Sequence, residues 1–238
     1  MKQIKRGIHF LFVSLTCSTS LLTFHACTSD DDITTTVEEV DDTDFEPTDW
    51  TTITHSSDVD PNMEEVFDDN TVKKLEIVIT EARWQSMLED MTETYGAFGA
   101  GTATASIDTE EGSIFVPAGV FYKGLEWYRV GVSFKGDSSL QRSWQNGILK
   151  LSFKLDFDLF DKEYPQIENQ RFYGFKKLNL NNNFDNKSML RENAISDVDK
   201  DSGMVPSYTA FYKVYINHGD GTEYFGLYTL VEEVDDTV

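Results

Sequence analysis

The sequence predicts an α+β fold, because strand-like and helix-like patterns share one stretch of chain from Lys73 onward. Apolar residues first alternate with polar ones at Leu75, Ile77 and Ile79, as in a strand with one buried face. Apolar residues then recur at helical spacing, at Trp84, Met87, Leu88 and Met91. Thr80 can cap this helix. We expect an antiparallel sheet with a few packed helices.

The rest of the chain repeats this mixture of elements. Short strands are predicted at 114–117, 120–122, 127–134, 149–157 and 172–180. A second helix is predicted over 188–199, with an apolar stripe for the core at Leu190, Ala194, Ile195 and Val198. Strands at 211–216 and 224–231 follow, joined by a glycine-rich hairpin turn at 217–221.

The first 27 residues are typical of a bacterial export signal. Lys2, Lys5 and Arg6 precede an apolar stretch over 8–24 that is too short and too polar for a membrane span. Ala26-Cys27 at its end resembles a lipobox, which implies lipidation of Cys27, and the acidic tract after it resembles the tether of surface lipoproteins from Bacteroidota-type bacteria. We expect an exported protein, lipid-anchored at the outer membrane or cell surface. A secreted protein cut near Ala26 is the alternative.

Residues 28–72 are predicted to be an acidic, threonine-rich tether. The segment from Cys27 to Val72 contains no Lys or Arg and sixteen acidic residues, so it offers little apolar surface to bury. The folded domain is then expected over 73–238. With a formal net charge of −22 the chain lacks the broad cationic surface that nucleic acid requires, so nucleic-acid binding is excluded.

Several catalytic and metal-binding chemistries are also excluded. The two cysteines, Cys17 and Cys27, belong to the signal, so the domain has no thiol for a disulfide, a metal or a nucleophile. His218, in the hairpin turn, is the only histidine after residue 55, so a histidine-dependent hydrolase is not expected. Asp156, Asp158 and Asp161 lack the glycine and glutamate of a calcium loop, and a solvated strand edge is the simpler interpretation.

The order of the elements matches the amino-terminal lobe of a protein kinase. In that lobe a glycine turn covers the phosphates, a strand lysine contacts them, and a helix glutamate orients the lysine. Here the turn would be 135–139, the lysine Lys150 or Lys154, and the glutamate Glu192. From the residues alone, an exposed polar strand face and a solvated glutamate are the simpler explanation of the same pattern.

Five blocks of sequence resemble the CotH kinase family, atypical secreted kinases named for a spore-coat protein. They are VGVSFKGDSSL at 130–140, KLSFKLDF at 150–157, FYGFKKLNL at 172–180, SMLRE at 188–192 and FGLYTLVE at 225–232. The resemblance runs from about Leu75 to the end of the chain. Ser133 and Asp137 depart from the Arg and Asn that the family usually carries.

The resemblance implies transfer of the γ-phosphoryl group of ATP to a protein hydroxyl, with Mg²⁺ as cofactor. It places Lys150 on the phosphates, Glu192 as the residue that orients it, and Lys135 and Ser138 near the phosphates. Family members continue into a second lobe that holds the catalytic and metal-binding aspartates. The sequence stops after the strand at 224–231, so we expect the carboxy-terminal lobe to be missing and this chain to lack kinase activity by itself.

Two alternatives to an enzyme remain at this stage. The same scaffold could be a non-enzymatic surface module that binds a host protein or a glycan. The sequence could also come from an incomplete gene. A partner of the intact enzyme would be a protein substrate, and the membrane would be contacted through the lipid on Cys27.

Overall fold

A closed barrel of seven strands forms the centre of the fold. The structure is a computed structural model that describes residues 43–101, 113–204 and 207–233. The strands follow the order β1-β2-β3-β4-β5-β7-β6 around the barrel. They are β1 (Lys73–Val78), β2 (Val116–Tyr122), β3 (Leu125–Lys135), β4 (Ser152–Asp156), β5 (Lys177–Asn181), β6 (Thr209–Asn217) and β7 (Thr222–Glu232).

Strand β1 closes the barrel because it pairs on both sides. It runs antiparallel to β2, with Ile77 opposite Val120, and parallel to β6, with Ile77 opposite Ile216. The other neighbouring pairs are antiparallel. The predicted α+β class is therefore confirmed, whereas the sheet is mixed and closed rather than purely antiparallel.

Five helices accompany the barrel within the described residues: α1 (Thr52–His55), α2 (Met63–Phe67), α3 (Glu81–Tyr95), α4 (Ser138–Gln145) and α5 (Arg191–Ser202). Helix α3 begins as predicted, with the Thr80 hydroxyl accepting a hydrogen bond from the Arg83 N–H at 3.4 Å. Its buried side chains are those of Trp84, Met87 and Met91. Helix α4 was not predicted, because its residues were interpreted as a turn.

The barrel interior is filled by the alternate side chains of each strand. Val132, Phe153, Leu155, Leu180 and Leu230 are all at most 1 % exposed. Burial of each such side chain stabilises the fold by roughly 1.5–3 kcal/mol. Because successive side chains of a strand point to opposite faces, the intervening polar residues of β3, β4 and β5 lie on the outer face of the barrel.

Residues 43–72 pack onto the barrel instead of standing apart from it. Phe45 stacks on Tyr128 with ring centroids 5.5 Å apart. The buried His55 ring lies between Trp50 and Trp127. The packed region thus begins at least thirty residues before the predicted boundary at Lys73, because a few aromatic side chains bury enough area to hold an otherwise acidic segment. The remainder of the predicted tether, 28–42, lies outside the described residues.

The predicted apolar face of the second helix is wrong. Leu190, Ile195 and Val198 are 55 %, 55 % and 63 % exposed, whereas the Ser196 side chain is buried. Helix α5 therefore turns a polar face toward the barrel. The hairpin between β6 and β7 does lie at the predicted glycine-rich turn.

The predicted signal and the lipidation residue Cys27 lie outside the described residues. Across the part of the chain that is described, no helix is both long enough and apolar enough to cross a membrane.

Candidate functional site

A polar cavity of about 310 Å³ opens on the outer face of the barrel, where helices α4 and α5 begin. Three segments line it: Lys135, Gly136 and Ser139 at the end of β3 and the start of α4, residues 181–186 after β5, and Arg191 and Glu192 of α5. Ser152, which pairs with Lys135 across the sheet, completes the wall. The cavity therefore lies where the sequence predicted the phosphate-proximal turn.

The turn into α4 depends on Gly136. Its φ of +114° lies in the region that disfavours side chains, and a Cβ there would come within 2.8 Å of the Ser139 hydroxyl. Asp137 follows as the N-cap residue, yet its side chain makes no capping hydrogen bond. The first N–H groups of a helix have no intrahelical acceptor, so the start of α4 presents unpaired donors and a positive partial charge.

Lys135 is one of two basic residues that line the cavity, together with Arg191. Burial lowers the pKa of its ammonium group, the Lys154 charge lowers it further, and the carboxylates of Glu233 and Glu192 oppose both effects. Within the described residues the Lys135 ammonium makes no hydrogen bond or ion pair. A half-buried ammonium without a direct partner is suited to bind an anionic group that enters the cavity.

Glu192 lies in the first turn of α5 and is held by one of its two oxygens. Its Oε1 accepts a hydrogen bond from the Asn181 amide at 3.1 Å. Its Oε2 is buried and has no hydrogen-bond partner. Because a buried unpaired oxygen costs free energy, this position is suited to a ligand that supplies a donor or a cation.

The asparagine-rich segment after β5 adds a second unpaired group. The Asn186 side chain is 8 % exposed and lines the cavity, and its Nδ2 has no acceptor. Asn182 holds the segment to the barrel, because its Nδ2 donates to the Lys150 carbonyl at 2.7 Å. The cavity thus combines a lysine, an amide donor and a helix start, which together favour an anion.

Lys150 was predicted to contact the phosphates, but its ammonium group is hydrogen-bonded to main-chain carbonyls. Its Nζ donates to the carbonyls of Asn182 at 3.0 Å and of Leu227 at 2.7 Å. The ammonium also lies 5.0 Å from the centre of the Tyr228 ring, and burial lowers its pKa. Lys150 therefore touches the cavity wall through Asn182, while the residue that shares the cavity with Glu192 is Lys135.

Lys154, the alternative strand lysine, forms an ion pair on the same outer face. Its Nζ lies 2.7 Å from Glu233 Oε1, and the Asn179 amide donates to the other Glu233 oxygen at 3.4 Å. Ser138, predicted near the phosphates, is the first residue of α4, and its neighbour Ser139 lines the cavity instead. Asn186, which lines the cavity, was missed because an isolated amide carries no motif.

Asp156 and Asp158 are buried, so the predicted solvated edge is wrong. They are 5 % and 9 % exposed. Asp158 forms ion pairs with Arg171 and Lys176. Burial and the Asp158 charge raise the pKa of Asp156 to about 6. No group of three or more His, Cys, Asp or Glu side chains in the described ranges could hold a metal ion by itself.

These features define a class of protein: an α+β barrel domain with a small polar cavity at two helix starts. Residues 132–238 match the family model described as CotH kinase protein, and this match supports membership of the chain in the CotH family. The match begins in β3 and includes every residue that lines the cavity. A search of curated proteins finds none that matches the chain.

Proposed function

We propose that this chain is an exported, CotH-like protein that takes part in transfer of the γ-phosphoryl group of ATP to a protein hydroxyl, and that the cavity between α4 and α5 receives the phosphates. The observation that carries the proposal is the convergence of Lys135, the uncapped start of α4 and the unpaired Asn186 amide on one cavity within the family match. Positioning and charge neutralisation provide most of phosphoryl-transfer catalysis, and these groups are suited to both.

The side chains present fit a phosphate group. Lys135 would bind a phosphate oxygen through its ammonium, and the N–H groups at Ser138 and Ser139 would donate to a second oxygen. Glu192 favours the charged form of Lys135, since its carboxylate raises the pKa that burial lowers. The roles that the sequence assigned to Lys150 and Glu192 are thus proposed for Lys135 and Glu192.

One carboxylate oxygen in the cavity also fits Mg²⁺. Magnesium is usually held by one or two carboxylates together with phosphate oxygens and waters. Glu192 Oε2 is buried and unpaired, so it would be the protein ligand from this part of the chain. Bound Mg²⁺ would neutralise charge that develops on the phosphates during transfer.

Titration calorimetry with ATP, ADP and AMP in the presence of Mg²⁺ tests the phosphate assignment. We expect affinity to fall in that order and Lys135→Ala to reduce the affinity for ATP to that of AMP. Lys162→Ala, an exposed lysine in the turn after β4, is the matched control and should bind as the parent chain does. Equal affinity for ATP and AMP, or a Lys135→Ala variant with unchanged ATP affinity, would show that the phosphates do not bind in this cavity.

Membrane attachment through a lipid on Cys27 is the second part of the proposal. It rests on the lipobox-like Ala26-Cys27 after an apolar stretch. Detergent phase partitioning of the exported protein tests it: the parent protein should enter the detergent phase and Cys27→Ser should stay in the aqueous phase. A parent protein that stays aqueous would favour cleavage near Ala26 without an anchor.

A further inference from the structure

A second groove crosses the outer face of β1 and β2, away from the cavity described above. It consists of two cavities of about 580 and 490 Å³, which share Val78 and Phe121 and therefore adjoin. Neither cavity shares a lining residue with the one between α4 and α5. The groove is thus a separate surface on the same barrel.

Positive charge is concentrated along this groove. Lys73, Lys74 and Lys123 line the first cavity, and Arg83 and Arg129 line the second. This is unusual for a chain whose formal net charge is −22. A groove walled by one sign of charge concentrates ions of the opposite sign, so the groove favours an anionic occupant.

The acidic side chains of the groove are engaged by neighbouring groups. Glu76 accepts from the Thr222 hydroxyl at 2.7 Å and pairs with Lys74 at 3.1 Å. Glu126 is partly buried, and burial raises the pKa of its carboxyl group. The groove lining thus has five basic and two acidic side chains. Lys74 and Lys123 each pair with one carboxylate, of Glu76 and Glu65, but both lysine side chains stay more than half exposed and can contact a further anion.

Aromatic rings form a row across the same face. Phe121 of β2 lies opposite Glu76 of β1, Glu76 lies opposite Tyr215 of β6, and Tyr215 lies opposite Tyr224 of β7. Residues paired in this way point to the same side of a sheet. Tyr224 is 55 % exposed, and its ring lies 5.2 Å from that of Tyr215. The surface thus offers flat apolar faces beside ammonium groups.

The geometry disfavours other anionic partners. Strand β1 is paired on both sides, so an acidic peptide cannot add to it as a new strand. A concave groove does not match the plane of a membrane. Nucleic acid carries a denser negative charge than an acidic sugar chain, so the rest of this acidic protein would repel it more strongly.

We propose that this groove binds an acidic polysaccharide, with a sugar ring against Phe121 and sugar carboxylates on Lys74 and Lys123. The C–H face of a sugar ring packs on an aromatic ring, while a carboxylate forms charge-assisted hydrogen bonds with lysine. The proposal goes beyond phosphoryl transfer and is independent of it. Such binding would hold the exported domain on a sugar-coated surface.

Calorimetric titration of the full chain with oligogalacturonate tests this inference. We expect binding that weakens with added salt and that falls about tenfold in Lys74→Gln/Lys123→Gln. Phe121→Leu, which keeps an apolar side chain but removes the ring, should weaken it as well. Lys162→Gln is the charge-matched control outside the groove and should bind as the parent chain does.

Three outcomes would overturn the proposal. A neutral galactan oligosaccharide that binds as tightly as oligogalacturonate would show that the lysines do not recognise the ligand. Equal binding of a short poly-glutamate peptide, unaffected by Phe121→Leu, would assign the groove to acidic protein segments. A dimer in solution that Lys74→Gln/Lys123→Gln dissociates would assign it to a second copy of this chain.

Discussion

The Glu192 carboxylate and the Lys135 ammonium line the same cavity, and their charges attract each other there. Lys135 ends strand β3 and Glu192 begins helix α5, so the pair connects two elements that are far apart in the sequence. Lys150, by contrast, is bound to two main-chain carbonyls. This arrangement distinguishes Lys135, which we propose binds the ligand, from Lys150, which is hydrogen-bonded to the main chain.

Replacing the two lysines should therefore have different consequences. Lys135→Ala should weaken ATP binding by roughly tenfold or more, because a charge-assisted hydrogen bond contributes about 1.5–3 kcal/mol. Its thermal stability should be unchanged or slightly raised, since the buried charge is removed. Calorimetry and thermal unfolding measure the two effects on one sample.

Lys150→Ala should mainly destabilise the fold. It leaves the buried carbonyls of Asn182 and Leu227 without a donor, which costs about 1–3 kcal/mol. A chain of this size should then unfold about 2–10 °C lower. If Lys150→Ala instead kept full stability and abolished ATP binding, the original assignment of Lys150 to the phosphates would be correct.

Glu192→Gln should abolish the effect of Mg²⁺ on ATP binding while the fold of the site is kept. The amide oxygen can still accept the hydrogen bond from Asn181, so the start of α5 should stay in place. Because the negative charge is lost, the pKa of Lys135 should fall, and ATP binding should no longer be strengthened by Mg²⁺. Titration of ATP with and without Mg²⁺ checks this, and a variant that keeps the Mg²⁺ effect would show that Glu192 does not contact the metal.

Asp156 should make the fold less stable as the pH rises. Its pKa is raised to about 6 by burial and by the Asp158 charge, so the folded state favours the protonated form. The stability that this proton provides is fully present below the unfolded pKa of about 4 and is lost as the pH rises through 6. Asp156→Asn should therefore stabilise the protein at pH 8 by about 1–2 kcal/mol, after allowance for solvent screening, and by little at pH 4. Urea unfolding at both pH values measures the difference.

His55 should have the opposite pH dependence. Burial lowers the pKa of its ring, which lies between two tryptophan rings, so the folded state favours neutral histidine. This contribution to stability is present above the unfolded pKa of about 6.5 and is lost as the pH falls through the lower folded value. Hydrogen exchange of residues 43–56 should speed up below pH 6 relative to the barrel strands. Uniform acceleration of the whole domain would contradict a local effect of His55.

Local patterns predicted most of the strands and the helices α3 and α5, but the two strands predicted at 114–117 and 120–122 form the single strand β2. The alternation of apolar and polar residues predicted that Leu75, Ile77 and Ile79 are buried, and all three are buried in the structure. Closure of the barrel was not predictable in this way, because the parallel pairing of β1 with β6 joins residues about 140 positions apart in the sequence. An apolar stripe on a helix usually faces the core, so the second helix was predicted to bury its apolar residues. Leu190 and Val198 are exposed instead.

The cavity is lined by residues that the sequence singled out, whereas the functional roles of those residues stay predictions. The turn at 135–139 and Glu192 were both identified, and both line the cavity. Lys135 was named among the phosphate-proximal residues, yet the sequence assigned the central role to Lys150. Lys135 ends β3 and Lys150 precedes β4, and the two lysines look alike in sequence. Their three-dimensional neighbours, Glu192 for one and two carbonyls for the other, distinguish them.

A crystal structure of the chain with a non-hydrolysable ATP analogue and Mg²⁺ tests the central claim most directly. We predict that the analogue's phosphates lie between the starts of α4 and α5, with a phosphate oxygen within hydrogen-bond distance of Lys135 Nζ and the metal on Glu192 Oε2. Phosphates bound at Lys150, or an analogue bound outside this cavity, would contradict the account.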